Sequence, residues 1–411
     1  MRRWLLCPIA ALALAGAAGA CGKATPQGLG QAAPSSGAAA RQGAIAVATK
    51  NTTRLGGSDA ALDAAAVAET VYPGLTAGTR PQVVVLVDER NWPAAIAAAE
   101  LAAAPLGAPI LYARGRELPT ATARALGALH PSGAPALGGA QVISIGVTAA
   151  VPGGYRTSAV AAAGGPASAA AAVERLAVSA QGKHPHRVIL LASSADRALQ
   201  MPAAGLAAES GAPILFTEDA AVPAPTAAAL ASLGRPAIYL LGAPAVSAGT
   251  LAALSRYGRV RRIGGGEGAQ PAGEGEGGEG GDPVGNAVAV SRYADGSFGW
   301  GIHEAGHGLV FANAARPLDA PAAAPLSAHG DYAPLLLLAE RASVPAALAR
   351  YLSNIEPGYT AAIGPVREVY NHGWLIGDEG AITARVQAEI DAILEVAPRT
   401  ASASEPPPAP E

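Results

Sequence analysis

Gly107-Ala108-Pro109-Ile110-Leu111 returns as Gly211-Ala212-Pro213-Ile214-Leu215, and again, worn down, as Ala333-Pro334-Leu335-Leu336-Leu337. The first two copies lie about 100 residues apart and the third about 120 further on, an acidic Gly-rich insert accounting for the excess. That period is too long for a solenoid repeat and right for a small domain. One unit is therefore used three times, and repetition favours a repeated binding surface over a single enzyme active site.

Around each copy the elements come in the same order. Residues 83–87 (Val-Val-Val-Leu-Val) are apolar without alternation, the pattern of a strand buried on both faces. In the first unit the pattern predicts helices over 58–71, 93–104 and 119–129 and further strands over 109–112 and 142–145. In the second it predicts strands over 188–191, 213–216 and 238–241, with helices over 202–210 and 223–233. The third has strands over 309–312 and 335–338 and helices over 319–328 and 345–353. It then departs, with strands expected over 359–363 and 374–376 and a closing amphipathic helix over 382–396. Strands alternating with helices imply right-handed crossovers and parallel sheets. The fold class is α/β, three tandem Rossmann-like units over 52–152, 153–258 and 259–397, the last carrying the Gly/Glu-rich insert 264–281.

Composition narrows the function. The chain has 411 residues, of which half are apolar but only 4% aromatic, so the apolar content is largely Ala. Charged residues make up 14% and the net charge is −3, which excludes the basic field that nucleic acid requires. The insert buries no apolar face and its glutamates repel anions, so its glycines do not make a phosphate cradle.

The amino terminus reads as a targeting segment. Met1-Arg2-Arg3 precedes a short apolar stretch and then Ala18-Gly19-Ala20-Cys21. Residues 1–20 resemble a bacterial lipoprotein signal peptide with Cys21 as the lipidated residue; an ordinary secretory signal is the alternative. Cleavage before Cys21 removes Cys7 and leaves one cysteine, so no disulfide is expected. The expected location is extracytoplasmic, lipid-anchored to the outer face of the cytoplasmic membrane. Residues 21–51 read as a flexible tether and 398–411 as a disordered tail.

Arg54-Leu55-Gly56-Gly57-Ser58-Asp59 and Arg262-Ile263-Gly264-Gly265 resemble unit openers, Leu240-Leu241-Gly242-Ala243 a closing phrase, and Asp319-Ala320-Pro321-Ala322 the start of an Asp-Ala helix. With the Gly-Ala-Pro-Ile-Leu phrases, their order resembles the cell-wall-binding repeat type 2 family over residues 52–397. Departures are Ala60-Ala61 where that family has Arg-Tyr, and Ala94 and Leu199 where it has the helix aspartate. The resemblance implies three units packed with pseudo-threefold symmetry and non-covalent binding of an anionic cell-wall polysaccharide, with neither catalysis nor a cofactor.

Ligands of open parallel sheets bind beyond the carboxyl ends of the strands. The loops there offer Asp88, Arg90 and Trp92 in the first unit, Asp196 and Arg197 in the second, and Asn313, Arg316 and Asp319 in the third. Three guanidiniums can engage a repeating anion, with Trp92 stacking on a sugar, and the repeats would gain by multivalency. Pairing with nearby acids is the competing role of these arginines. His372, in the cluster Tyr370-Asn371-His372-Gly373-Trp374, is a further sugar-binding candidate. His303-Glu304-Ala305-Gly306-His307 matches the zinc-peptidase pattern, which needs a helix to align His303 and His307 with Glu304 as base. Gly299, Gly301, Gly306 and Gly308 bracket it and disfavour that helix. A zinc metallopeptidase and a solute-binding lipoprotein are the rival functions; three sequential units argue against the two lobes of the latter.

Overall fold

The recurring Gly-Ala-Pro phrase marks the end of one element and the start of the next. Gly211 stops helix α6 (Pro202–Ser210) in the left-handed conformation, at φ 67°, with its N–H on the Ala207 carbonyl at 2.8 Å. Gly107 turns the chain in the same way, at φ 54°, bonding the Ala103 carbonyl at 3.0 Å. The proline two residues on lacks an N–H and cannot extend a helix, but its carbonyl serves a strand. Pro109 accepts from Val85 at 2.9 Å, Pro213 from Ile189 at 2.9 Å, and Pro334 from Val310 at 3.0 Å. The phrase thus sets the register of a parallel pair in each unit.

A computed structural model describes residues 45–242, 245–264, 282–329, 332–359 and 369–398. The expected signal peptide, Cys21, the tether as far as residue 44, insert residues 265–281 and the tail beyond 398 lie outside the described residues. The chain forms three Rossmann-like units with mostly parallel sheets flanked by helices. The first sheet has the order β4-β3-β5-β6, from β3 (Val84–Asp88), β4 (Ile110–Ala113), β5 (Val142–Ile145) and β6 (Thr157–Val160). The second has the order β10-β9-β7-β8, from β7 (Arg187–Ala192), β8 (Ile214–Thr217), β9 (Ala237–Leu241) and β10 (Arg259–Ile263). The third joins β1 (Ile45–Ala48), β2 (Thr52–Gly56), β14 (His372–Ile376), β11 (Gly308–Asn313) and β12 (Leu335–Leu338) in that order, with only β1 antiparallel. Strand β13 (Gly358–Tyr359) pairs apart with β15 (Ala397–Pro398); the remainder of the strand expected over 359–363 lies outside the described residues.

The phrases that resemble unit openers do not start sheets. They close the preceding one. Strand β2, carrying Arg54, lies beside β14 of the third unit, while the helix after it, α1 (Ala60–Val71), covers β4 of the first sheet. Likewise β6 completes the first sheet while α4 (Pro166–Gln181) covers β8, and β10 completes the second while α9 (Pro283–Arg292) covers β12. Each strand–helix pair therefore ties one unit to the next, and β2–α1 ties the first to the last. Arg54 is buried and clasps the third unit, bonding the Gly377 and Asp378 carbonyls at 3.1 and 2.9 Å and Gln387 at 3.0 Å.

The helices that follow the first strands meet at the centre. They are α2 (Trp92–Ala97), which tightens into a 3-10 turn at Ala98–Ala102 where one helix over 93–104 was expected, then α6 and α10 (Asp319–Ala328). Small residues permit the approach. A Cβ on Gly205 of α6 would stand 2.8 Å from the Ser327 hydroxyl of α10. The other helices are α3 (Thr120–Leu129), α5 (Arg197–Gln200), α7 (Ala224–Ser232), α8 (Ala248–Leu254), α11 (Ala346–Asn354) and α12 (Ala384–Ile393). In the third unit, Val310 and Ala312 face the core shared by all units, while Leu309 and Phe311 face a second core with α11 and α12.

Two carboxyls break this apolar centre. Glu100, in the 3-10 turn, and Glu174, on α4, are buried, and neither Glu100 oxygen nor Glu174 Oε2 has a hydrogen-bond partner. Burial raises both, Glu174 to about 7, and Glu174 raises Glu100 further. The folded chain thus holds protons that the unfolded chain releases above about pH 4.3, so stability falls as pH rises from there through 7. Glu174→Gln is expected to remove part of that slope. Thermal melts from pH 4 to 8 should show its advantage over the parent growing up to pH 7 and then levelling; parallel curves would contradict this account.

Candidate functional site

The carboxyl end of the third sheet is built by a chain of short-range bonds. Asn313, at the end of β11, donates to the Ala381 carbonyl at 2.8 Å, and its side-chain oxygen accepts from the Ala315 N–H at 2.9 Å. The Arg316 N–H closes the same turn on the Asn313 carbonyl at 2.9 Å. The turn directs Arg316 onto two buried carboxyls, Asp319 at 3.0 Å at the start of α10 and Asp63 of α1 in the first unit. Asp63 also accepts from the Gly57 N–H at 2.7 Å. Gly56, at φ 124°, makes room for it, because a Cβ there would stand 2.1 Å from Asp63 Oδ1.

Asp63 and Asp319 are 0% and 1% exposed. Burial raises Asp63 to about 6 and Asp319 well above the usual carboxylate range; Asp63 raises Asp319 further, and Arg316 opposes both shifts. Burial and mutual repulsion both disfavour charging the two acids, and Arg316 is the cation that offsets them. Burial raises Tyr112 too, and its hydroxyl donates to the Leu318 carbonyl at 2.6 Å.

Above this trio lies a cleft of about 300 Å³ lined by Ser58, Asp59, Ala60, Arg197, Arg316, Pro317, Leu318 and Asp319. All three units contribute. Asp59 caps α1, accepting from the Leu62 N–H at 3.0 Å. Asp196 caps α5, accepting from the Ala198 N–H at 2.8 Å, which fixes the base of the neighbouring Arg197. Arg197 is exposed and forms no ion pair among the described residues.

Of the three arginines expected to act alike, the structure brings Arg197 and Arg316 together and sets Arg90 apart. Arg90 forks onto Asp88 at 2.7 and 3.0 Å, holding that carboxyl below the usual range. Trp92 corrects the sugar-stacking expectation. It is 4% exposed, with its indole N–H on Gln200 of the second unit at 2.7 Å, so the ring is an inter-unit plug. Asn313 is likewise buried and spent on its turn. His372 lies at the amino end of β14, the opposite end of the sheet from Arg316, near Thr53 Oγ1 at 3.1 Å and edge-on to Trp374.

Residues 303–307 form a loop, not a helix, so His303 and His307 lack the one-face alignment that a zinc peptidase needs. Asn371, fully buried, holds that loop through the Gly306 and His307 N–H groups at 2.8 and 3.1 Å. Burial lowers His307. No cluster of three or more His, Cys, Asp or Glu residues suited to a metal occurs among the described residues. The participant that sequence reasoning missed is Asp63. Its signal was a carboxylate beside Leu62, Ala65 and Ala66 on the apolar face of an Ala-rich helix.

No family model matches the chain, and no curated protein matches it in sequence. Among solved structures it is similar to Cwp6 from Clostridium difficile, with a TM-score of 0.62 and 19% identity over 85% of this chain. It is also similar to Cwp8 from Clostridium difficile, with a TM-score of 0.59 and 15% identity over 84% of this chain. The match spans about half of each of those proteins, 51% and 52%. At this identity the likeness establishes the fold.

Breaking the trio should cost stability. Arg316→Ala leaves two buried carboxyls with no cation and is expected to lose about 3 kcal/mol in urea unfolding. Asp63→Asn, which keeps the shape and removes one charge, is expected to lose distinctly less. Equal losses would show that charge pairing is not what holds the first and third units together.

Proposed function

We propose that this is a cell-envelope protein that binds an anionic cell-wall polysaccharide non-covalently, as a binder without a cofactor. The observation that carries the reading is the cleft at the meeting of the three units, lined by Arg316 and by Arg197, whose guanidinium has no ion pair among the described residues. A guanidinium forks onto phosphate or carboxylate, and the Ser58 hydroxyl adds a neutral donor and acceptor for a sugar. Arg316, neutralised by Asp63 and Asp319, shapes the floor, so Arg197 is the principal anion contact. The structural neighbours support the setting, since Cwp6 and Cwp8 are cell wall proteins of C. difficile. In this reading residues 1–20 are removed, Cys21 carries the lipid anchor, and the three units are diverged cell-wall-binding repeats on the outer face of the cytoplasmic membrane.

The test is co-sedimentation of the chain from Gly22 onward with purified cell walls, intact or stripped of anionic polymer, across a salt series. Binding to intact walls alone, weakening with salt, is expected. Arg197→Ala should weaken it about tenfold, the worth of one charge-assisted hydrogen bond, and flatten the salt dependence. Arg90→Ala, which removes a side chain that does not line the cleft and is paired with Asp88, should leave it unchanged. Failure to bind intact walls would overturn the reading.

A further inference from the structure

The second sheet carries an unusual edge at the amino ends of its strands, opposite to the end that bears Arg197. Arg187 opens β7, Arg259 opens β10, and Arg235 stands two residues before β9. The register places Arg259, Ala237 and Arg187 side by side across adjacent strands. Lys183 and Arg256 precede the same strands, and Lys183, Arg235, Arg256 and Arg259 are exposed. Arg235 reaches the Arg256 carbonyl at 3.4 Å, so these two loops touch.

Little negative charge answers them. Asp295 is paired with Arg261 and also feels Arg259, and Glu209 lies near Arg187. Lys183, Arg235, Arg256 and Arg259 form no ion pair among the described residues. In a chain of net charge −3, this is a local positive field.

We infer that this edge of the second sheet docks the protein on an anionic phospholipid surface. Strands stand about 4.8 Å apart, so cations on three neighbouring strands cover a footprint of headgroups. The edge has no slot for a sugar chain between β9 and β10. A Cβ on Gly258 would stand 1.9 Å from the Pro236 carbonyl oxygen, so the loops are closed on each other. A row of exposed guanidiniums on loops closed against each other fits a surface of phosphates better than it fits a threaded polymer. The lipid-anchor reading adds proximity, because Cys21 lies close in sequence to β1, where the described fold begins. The docking itself does not depend on that anchor.

The test uses the non-lipidated chain from Gly22 onward and vesicles of phosphatidylcholine with or without phosphatidylglycerol. Binding only where phosphatidylglycerol is present, lost at high salt, is expected. The triple variant Arg235→Ala/Arg256→Ala/Arg259→Ala should bind those vesicles about a hundredfold more weakly, at the usual contribution of one basic residue near an anionic membrane. It should keep parental wall binding and an unchanged melting curve, because all three side chains are exposed. Arg197→Ala should behave the opposite way, losing wall binding and keeping vesicle binding. Equal binding to both vesicle types, or a triple variant that binds vesicles like the parent, would overturn the inference. So would a triple variant that loses wall binding instead, which would give the edge to the polymer.

Discussion

The pairing of Thr52–Gly56 with His372–Ile376 is the contact on which the rest depends. It joins strands more than 300 residues apart in sequence, and it decides where α1 starts. Because β2 completes the third sheet, α1 crosses at once to the first unit and carries Asp63 to Arg316. The candidate cleft is a by-product of that crossing. Without β2 in the third sheet, Ser58 and Asp59 would not face Arg197 and Arg316.

The same handover explains the composition. A helix that leaves one sheet and covers the next is touched on several sides, so it has no broad polar face. Alanine suits such a helix, since it buries without rotamer entropy and lets axes approach closely. Ala61, Ala64, Ala65, Ala66 and Ala68 of α1 and Ala169, Ala170 and Ala171 of α4 are buried, and so are residues 94–99 and most alanines of α6 and α10 where the units meet. The cost is that few large side chains lock the centre. Two carboxyls, Glu100 and Glu174, even sit there in apolar surroundings. The seam between the first and second units therefore weakens as they ionise, whereas the seam between the first and third is held by a guanidinium with two acids.

Much of the fold was legible because continuous apolar runs and Gly-Ala-Pro turns are local signals. Strand β5 and helix α10 fall where the pattern puts them. The strand–helix pairs β6–α4 and β10–α9 were not legible. Residues 166–181 are so rich in Ala that no 3.6-residue periodicity stands out, and Arg259–Ile263 is three-fifths arginine, unlike a buried strand. Which sheet a parallel strand joins is a long-range choice that no local pattern encodes. The site was half legible for a related reason. Loop position made Arg197 and Arg316 ligand-binding candidates, and both line the cleft, but it could not place Trp92, since a tryptophan after a strand reads the same whether it faces solvent or the next unit.

The fate of the arginines bears on why the unit is repeated at all. Equivalent loops can multiply a weak contact only if each keeps a free charge. Arg90 has spent its charge on Asp88, and Arg316 has spent its own on Asp63 and Asp319. Arg197 alone of the three reaches the cleft without an acid partner among the described residues. Repetition here serves construction: three similar units, each lending a strand backwards and a helix forwards, create a junction that no single unit contains. In that arrangement divergence between repeats has a use. One arginine can be committed to holding the ring closed while another, at the same place in its own unit, stays open to a ligand.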